Sequence, residues 1–151
     1  MRNTVPSDDP VMRDWQGRPG IVYFFKAGGF VKVGMAAIGK GETYKETIIR
    51  RQKAIQSANH ERLEFLGAIL FTEGKRPAMD AEQREREIHN QFVGLMRFRQ
   101  HTVGAEWFAA SDELLAFIRK NAKDADELSL PRHVATFSSS SSTSDSKNEG
   151  S

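Results

Sequence analysis

Gly20-Ile21-Val22-Tyr23-Phe24-Phe25-Lys26-Ala27-Gly28-Gly29-Phe30-Val31-Lys32-Val33-Gly34 places two short runs of β-branched and aromatic residues on either side of a glycine-bearing segment. That composition predicts a β-hairpin, with Lys26 to Gly29 as a four-residue loop. Pairing Phe25 with Phe30 puts Val22, Phe24, Val31 and Val33 on one apolar face and sets Tyr23 directly opposite Lys32 on the other. A one-residue slip mixes the faces, so the pattern selects the first register. Opposed side chains have Cβ atoms roughly 4.5–5.5 Å apart, which sets a phenol beside an ammonium.

The hairpin belongs to a chain of 151 residues, enough for one domain with loose ends. Residues 1–19 read as a loose arm that docks through Trp15, and residues 20–122 as the folded domain. Residues 123–137 form an extension of unassigned structure, and the serine-rich stretch 138–151 has nothing to bury and is expected to be disordered. With 38% hydrophobic and 28% charged residues the composition is that of a soluble protein. No segment is apolar enough to span a bilayer and none reads as a signal peptide, so no membrane partner and a cytoplasmic location are expected. The absence of cysteine excludes disulfides, thiolate catalysis and cysteine-based zinc sites. A formal net charge of +2 is compatible with nucleic-acid binding without demanding it.

After the hairpin, Thr43-Tyr44-Lys45-Glu46 reads as a capping box that opens a helix running to about Ala58. On its wheel Tyr44, Ile48, Ile55 and Ala58 make a stripe that includes Arg51, whereas Arg50 points away. Leu63 to Phe71 is apolar enough for a central strand. Asp80 with Gln83 marks a second helix start, continuing to about Phe98. Its apolar stripe of Ala81, Ile88, Phe92, Leu95 and Met96 contains Glu85, with His89 at the edge and Arg86, Glu87 and Asn90 facing away. Glu106-Trp107-Phe108 reads as a short strand or turn, and Ser111 caps a last helix that ends near Asn121. The inward Arg51 and Glu85 need partners, because an unpaired buried charge is costly. An internal Arg51–Glu85 salt bridge, or side chains that snorkel out, would satisfy them without any function.

Taken in order, Tyr23, Lys32-Val33-Gly34 nine residues on, Arg51-Gln52-Lys53-Ala54-Ile55-Gln56, Glu85-Arg86-Glu87-Ile88-His89 with Phe92, and Glu106-Trp107-Phe108 resemble the GIY-YIG nuclease superfamily. The resemblance covers about 20–120 and is strongest to a phage-type branch, often labelled a DNA-binding domain, whose second motif reads Lys-Ile-Gly. It implies an α/β (α+β) fold with a small, mainly antiparallel three-stranded central sheet flanked by helices. It also implies a metal-dependent DNA endonuclease or nickase. Tyr23 matches the tyrosine that activates water, Arg51 the arginine on the phosphate, and Glu85 the ligand of a single Mg²⁺ or Mn²⁺ ion. Lys32 stands where many relatives carry a second tyrosine, and Gly34 closes that motif. His89, one turn after Glu85, contacts phosphate or orients a water, or else is structural. Glu106 and Trp107 close the core behind the site, or Glu106 adds a second carboxylate.

Phosphodiester hydrolysis suits such a set, since a cation and a hard-ligand metal balance charge that grows in the transition state. A free tyrosine with pKa about 10 is a poor base at neutral pH, and an adjacent Lys32 cation would favour its phenolate. Lys45, Arg50, Lys53, Arg62, Arg84, Arg86, Arg97 and Arg99 are interleaved with acids and serve equally as a DNA track or a solvated surface. The departures are the Ile-Val-Tyr first motif, the lysine in place of the second tyrosine and the lack of a late asparagine. The partners expected are DNA, and a homodimer or a targeting protein to supply specificity. The alternative is a non-catalytic DNA-binding module of the same fold.

Overall fold

Every strand of the sheet runs antiparallel to its neighbours, and the order is β3-β1-β2-β4. The computed structural model describes residues 5–96 and 106–131. Within them lie α1 (Pro10–Gly17), β1 (Gly20–Ala27), β2 (Phe30–Ala37), α2 (Tyr44–Ser57), β3 (Leu63–Phe71), α3 (Pro77–Gln91), a 3₁₀ turn (Val93–Leu95), β4 (Trp107–Ala109) and α4 (Asp112–Asn121). The serine-rich stretch, Arg97, Arg99 and the expected end of the second helix at Phe98 lie outside the described residues.

The hairpin forms, with a tighter turn than its sequence predicts. Ala27 pairs with Phe30, so only Gly28 and Gly29 turn, with Gly28 at φ 58° in the left-handed region that glycine enters without strain. With only two glycines at the tip, Lys26 and Ala27 join the ladder, opposite Val31 and Phe30. The register therefore shifts by two: Tyr23 faces Gly34, and Lys32 faces Phe25. A shift of two preserves the faces. Val22, Phe24, Val31 and Val33 are buried against Ala81, Ile88 and Phe92 and against Leu114 and Ile118 of α4. Ile21, Tyr23, Phe25 and Ala27 pack on the other side against Ile48 of α2, with Leu63 and Phe65. A strand covered on both faces reads as a near-continuous apolar run, as β1 does.

Four strands form where three were expected, because Trp107–Ala109 pairs with Phe30–Lys32. The strand Leu63–Phe71 falls as predicted but lies at the sheet edge, and β1 is central. Its apolar character follows from cover on its outer side. Ala68 and Lys123 exchange both backbone hydrogen bonds at 2.9 Å, and Gly67 leaves room for Ala122 and Lys123, which a Cβ there would meet at 3.0 Å. The chain continues past Ala122 as packed structure: Ala125 and Leu128 are buried on the α2 side, and Tyr44 Oη donates to Leu128 O at 3.2 Å.

The N-terminal arm is not loose where it is described. Asp9 caps α1 by accepting from Met12 N at 3.0 Å, with Pro10 in the first turn. Buried Gln16 ties it down, donating to Val5 O at 2.7 Å and accepting from Ser7 N at 3.0 Å and Arg76 Nη1 at 2.7 Å. Trp15 is half-buried. The capping box on α2 closes as read, with Glu46 N donating to Thr43 Oγ1 at 3.2 Å and Thr43 N to Glu46 Oε1 at 2.8 Å. Helix α3 starts three residues before the predicted Asp80, since Pro77 sits in its first turn and fixes a helical φ.

Candidate functional site

Tyr23 leaves the middle of β1 and lies across the Cα of Gly34 on the neighbouring strand. A Cβ at Gly34 would stand 2.5 Å from Tyr23 Oη and 2.6 Å from Cζ, so the ring occupies the space a side chain would take. Its ring is tilted on Phe25 at 5.5 Å, and the residue is only 4% exposed. Among the described residues the hydroxyl has no hydrogen-bond partner. Burial pushes its pKa up to about 12; the Arg51 cation opposes the rise, and the carboxylates of Glu106 and Glu85 add to it. Charges on Arg51, Glu85 and Glu106 thus all act on the Tyr23 phenol.

Arg51 is half-buried on α2, and its Nε is sealed from solvent with no acceptor. Its neighbour Arg50 is exposed and grips Glu42 through Nε–Oε2 and Nη2–Oε1, both at 3.0 Å. With Thr47 also donating to it, the Glu42 carboxyl drops to about 2. The division of the two arginines into inward and outward follows the wheel. Glu85 is half-buried on α3, one turn after Ala81 and before Ile88.

His89 sits one turn later and donates Nε2–H to Val33 O at 2.8 Å, which sets the tautomer and leaves Nδ1 as its acceptor. The ring tilts on Phe108 at 5.0 Å. Burial lowers its pKa below the usual histidine value; the bond to Val33 and the Glu106 carboxylate pull the other way, while Lys32 adds to the lowering.

Lys32 does not stand directly opposite Tyr23. The two-residue shift moves it opposite Phe25, where its ammonium pairs with Glu106 and lies 5.9 Å from the centre of the Trp107 ring. No cationic contribution from Lys32 favours the Tyr23 phenolate; Arg51 is the cation that acts on the phenol. Glu106 joins the group instead, its charge felt by both Tyr23 and His89. Its signal was the Glu106-Trp107-Phe108 motif, but the pairing of β4 with β2 is what brings it here, with Val33 N donating to Glu106 O at 3.1 Å.

Among the described residues no three His, Asp or Glu side chains form a metal cage. The basic track is thinner than its sequence count. Arg50 is spent on Glu42, and Arg84 bonds Glu87 at 3.3 Å while covering Phe117. Arg86, expected to face away, is half-buried with a sealed and unpartnered Nη2. Tyr23, Arg51 and Glu85 line neither described cavity; the larger, of about 550 Å³, lies between the N-terminal arm, α1 and Glu82 of α3. No helix among the described residues is long and apolar enough to cross a membrane. Compared with family models, with curated proteins and with solved structures, the chain matches none.

Proposed function

We propose that this domain is a metal-dependent phosphodiester hydrolase acting on DNA, an endonuclease or nickase of the GIY-YIG type. The observation that carries this reading is the Tyr23 hydroxyl, seated over Gly34 without a hydrogen-bond partner among the described residues, with the Arg51 cation and the Glu85 carboxylate both acting on it.

Each chain residue then has a task. The Arg51 guanidinium, planar and permanently charged, is the cation that would meet a phosphate oxygen. Tyr23 is protonated at neutral pH and so orients the attacking water and the phosphate by hydrogen bonding. His89, held by Val33, presents Nδ1 as a further acceptor. A single carboxylate fits a Mg²⁺ or Mn²⁺ ion that keeps most of its waters and shares the substrate's phosphate, and Glu85 is the residue that would hold it. Bound there, the ion would supply positive charge against that developing on the leaving oxygen. One site cuts one strand per engagement, so a break in both strands requires a dimer or a second visit.

The test is incubation of the purified protein with supercoiled plasmid and Mg²⁺ or Mn²⁺, beside Arg51→Ala and Glu85→Ala. Nicking by wild type that both variants lose supports the reading. Salt-sensitive DNA binding with no nicking by wild type replaces it with a non-catalytic DNA-binding module.

A further inference from the structure

We propose that the edge of β2 at Gly34–Met35 is the seat of the phosphate, with the Met35 backbone N–H donating to one of its non-bridging oxygens. The assignment rests on the hydrolase reading of the site and adds a binding group to it.

Val33 turns both of its polar backbone groups away from β1. Its N–H donates to Glu106 O at 3.1 Å, and its C=O accepts from His89 Nε2 at 2.8 Å. Backbone groups two residues apart on a strand point the same way, so Met35 also directs its N–H and C=O outward. The other parity agrees, since Ile38 N turns toward the β1 side and donates to Pro19 O at 2.8 Å. Strand β4 pairs only with Phe30–Lys32, and among the described residues nothing bonds the Met35 N–H on that outer side. An edge strand past the end of its partner presents such donors to whatever approaches it.

Three groups meet around Gly34. Tyr23 Oη lies over it, 2.5 Å from where a Cβ would stand. The Val33 carbonyl that holds His89 precedes it in the chain, and the Met35 N–H follows it. Standard bond lengths then place Met35 N no more than about 6.5 Å from Tyr23 Oη, a span that two oxygens of one phosphate cover with ordinary hydrogen bonds. Gly34 carries no side chain to screen the amide after it, and the Met35 side chain leaves on the other face to pack with the cluster of Val22, Val33 and Ile88. The sheet fixes the direction of the amide before substrate arrives, so it stabilises charge growing on the phosphate oxygen without reorganising. Arg51, whose charge acts on the same phenol, supplies the cation that a neutral amide lacks.

Met35→Pro removes the N–H, and proline is tolerated on an edge strand where that group faces away from the ladder. Met35→Ala keeps the N–H and loses the packed side chain, so it reports the structural cost. In the plasmid-nicking assay with Mg²⁺, Met35→Pro is expected to lose roughly 10²- to 10³-fold in single-turnover rate, the usual effect of deleting one such donor, and Met35→Ala far less. Equal losses in the two variants overturn the assignment. A second measurement reads the amide in the unaltered chain: ¹⁵N-labelled wild type is titrated with a short DNA duplex at low salt without divalent metal. The Met35 amide proton is expected to move downfield as the duplex binds. A Met35 amide that stays in place while the Arg51 Nε–H signal shifts overturns the assignment, even if Met35→Pro has failed to fold. Wild type that nicks while Met35→Pro matches it removes only this assignment. A Met35 shift in a wild type that never nicks removes the hydrolase reading and keeps the phosphate seat, and no shift of any amide with DNA removes both.

Discussion

Tyr23 and Gly34 form a unit in which one residue's missing side chain is the other's seat. Gly34→Ala would force a methyl to within 2.5 Å of the phenolic oxygen. We expect it to displace the ring, lower the melting temperature and abolish nicking, whereas Gly29→Ala, which meets nothing within 4 Å, should stay within about 0.5 kcal/mol of wild type. Tyr23→Phe separates the hydroxyl from the ring. Because that hydroxyl bonds nothing among the described residues, folding at pH 7 should hardly change while nicking falls. The same variant has an alkaline signature. A phenol raised from 10 to about 12 contributes stability that is complete below pH 10 and fades as pH rises toward 12. Two units correspond to about 2–3 kcal/mol. Denaturant midpoints measured from pH 9 to 12 should fall more steeply in wild type than in Tyr23→Phe. His89 acts with the opposite sign: its lowered pKa makes the unfolded chain the better proton acceptor. Its contribution is present above about pH 6.5 and is lost as pH drops toward the folded value.

At the scale of elements, the edge of β3 is the point most open to attack. Its apolar run survives at an edge only because the segment after α4 covers Ala68. Gly67→Val would push Ala122 and Lys123 away, since even one Cβ would lie at 3.0 Å from both. The expected outcome is faster hydrogen exchange at the Ala68 amide and aggregation on mild heating, checked by exchange mass spectrometry and light scattering. Helix α1 shows the reverse, an element read from sequence as a loose arm although Asp9-Pro10 spelled out its start. Its eight residues lack a strong apolar repeat, and what fixes the helix is Gln16 bonding to the arm and to Arg76, which is invisible to periodicity.

At the scale of the whole molecule, a net charge of +2, with Arg50 and Arg84 already engaged within the chain, leads us to expect only modest affinity for phosphates. Each phosphate neutralised contributes roughly −0.9 to the slope of log K against log salt, so titrations from low to moderate salt should give a shallow slope, smaller in magnitude than about 5. With one site per chain, nicked circles should accumulate before linear plasmid in a time course at low protein concentration. Simultaneous appearance of linear product would indicate a dimer acting on both strands.

Much of this architecture was legible in the chain. The period-two alternation of Val22, Phe24, Val31 and Val33, the Thr43–Glu46 capping box, the limits of Leu63–Phe71 and the inward turn of Arg51 and Glu85 are local properties, set by side-chain periodicity and cap chemistry. What periodicity cannot rank are registers two residues apart, because they present the same faces. Only closure of the Gly28–Gly29 turn and packing across the sheet set Tyr23 over Gly34 and moved Lys32 away from it. The fourth strand, the edge position of β3 and the docking of Glu106 against Lys32 and Val33 depend on contacts between residues far apart in sequence. Those were decided by the pairing of β4 with β2 and by the cover of Lys123 on Ala68, where backbone groups that had to be satisfied found their partners.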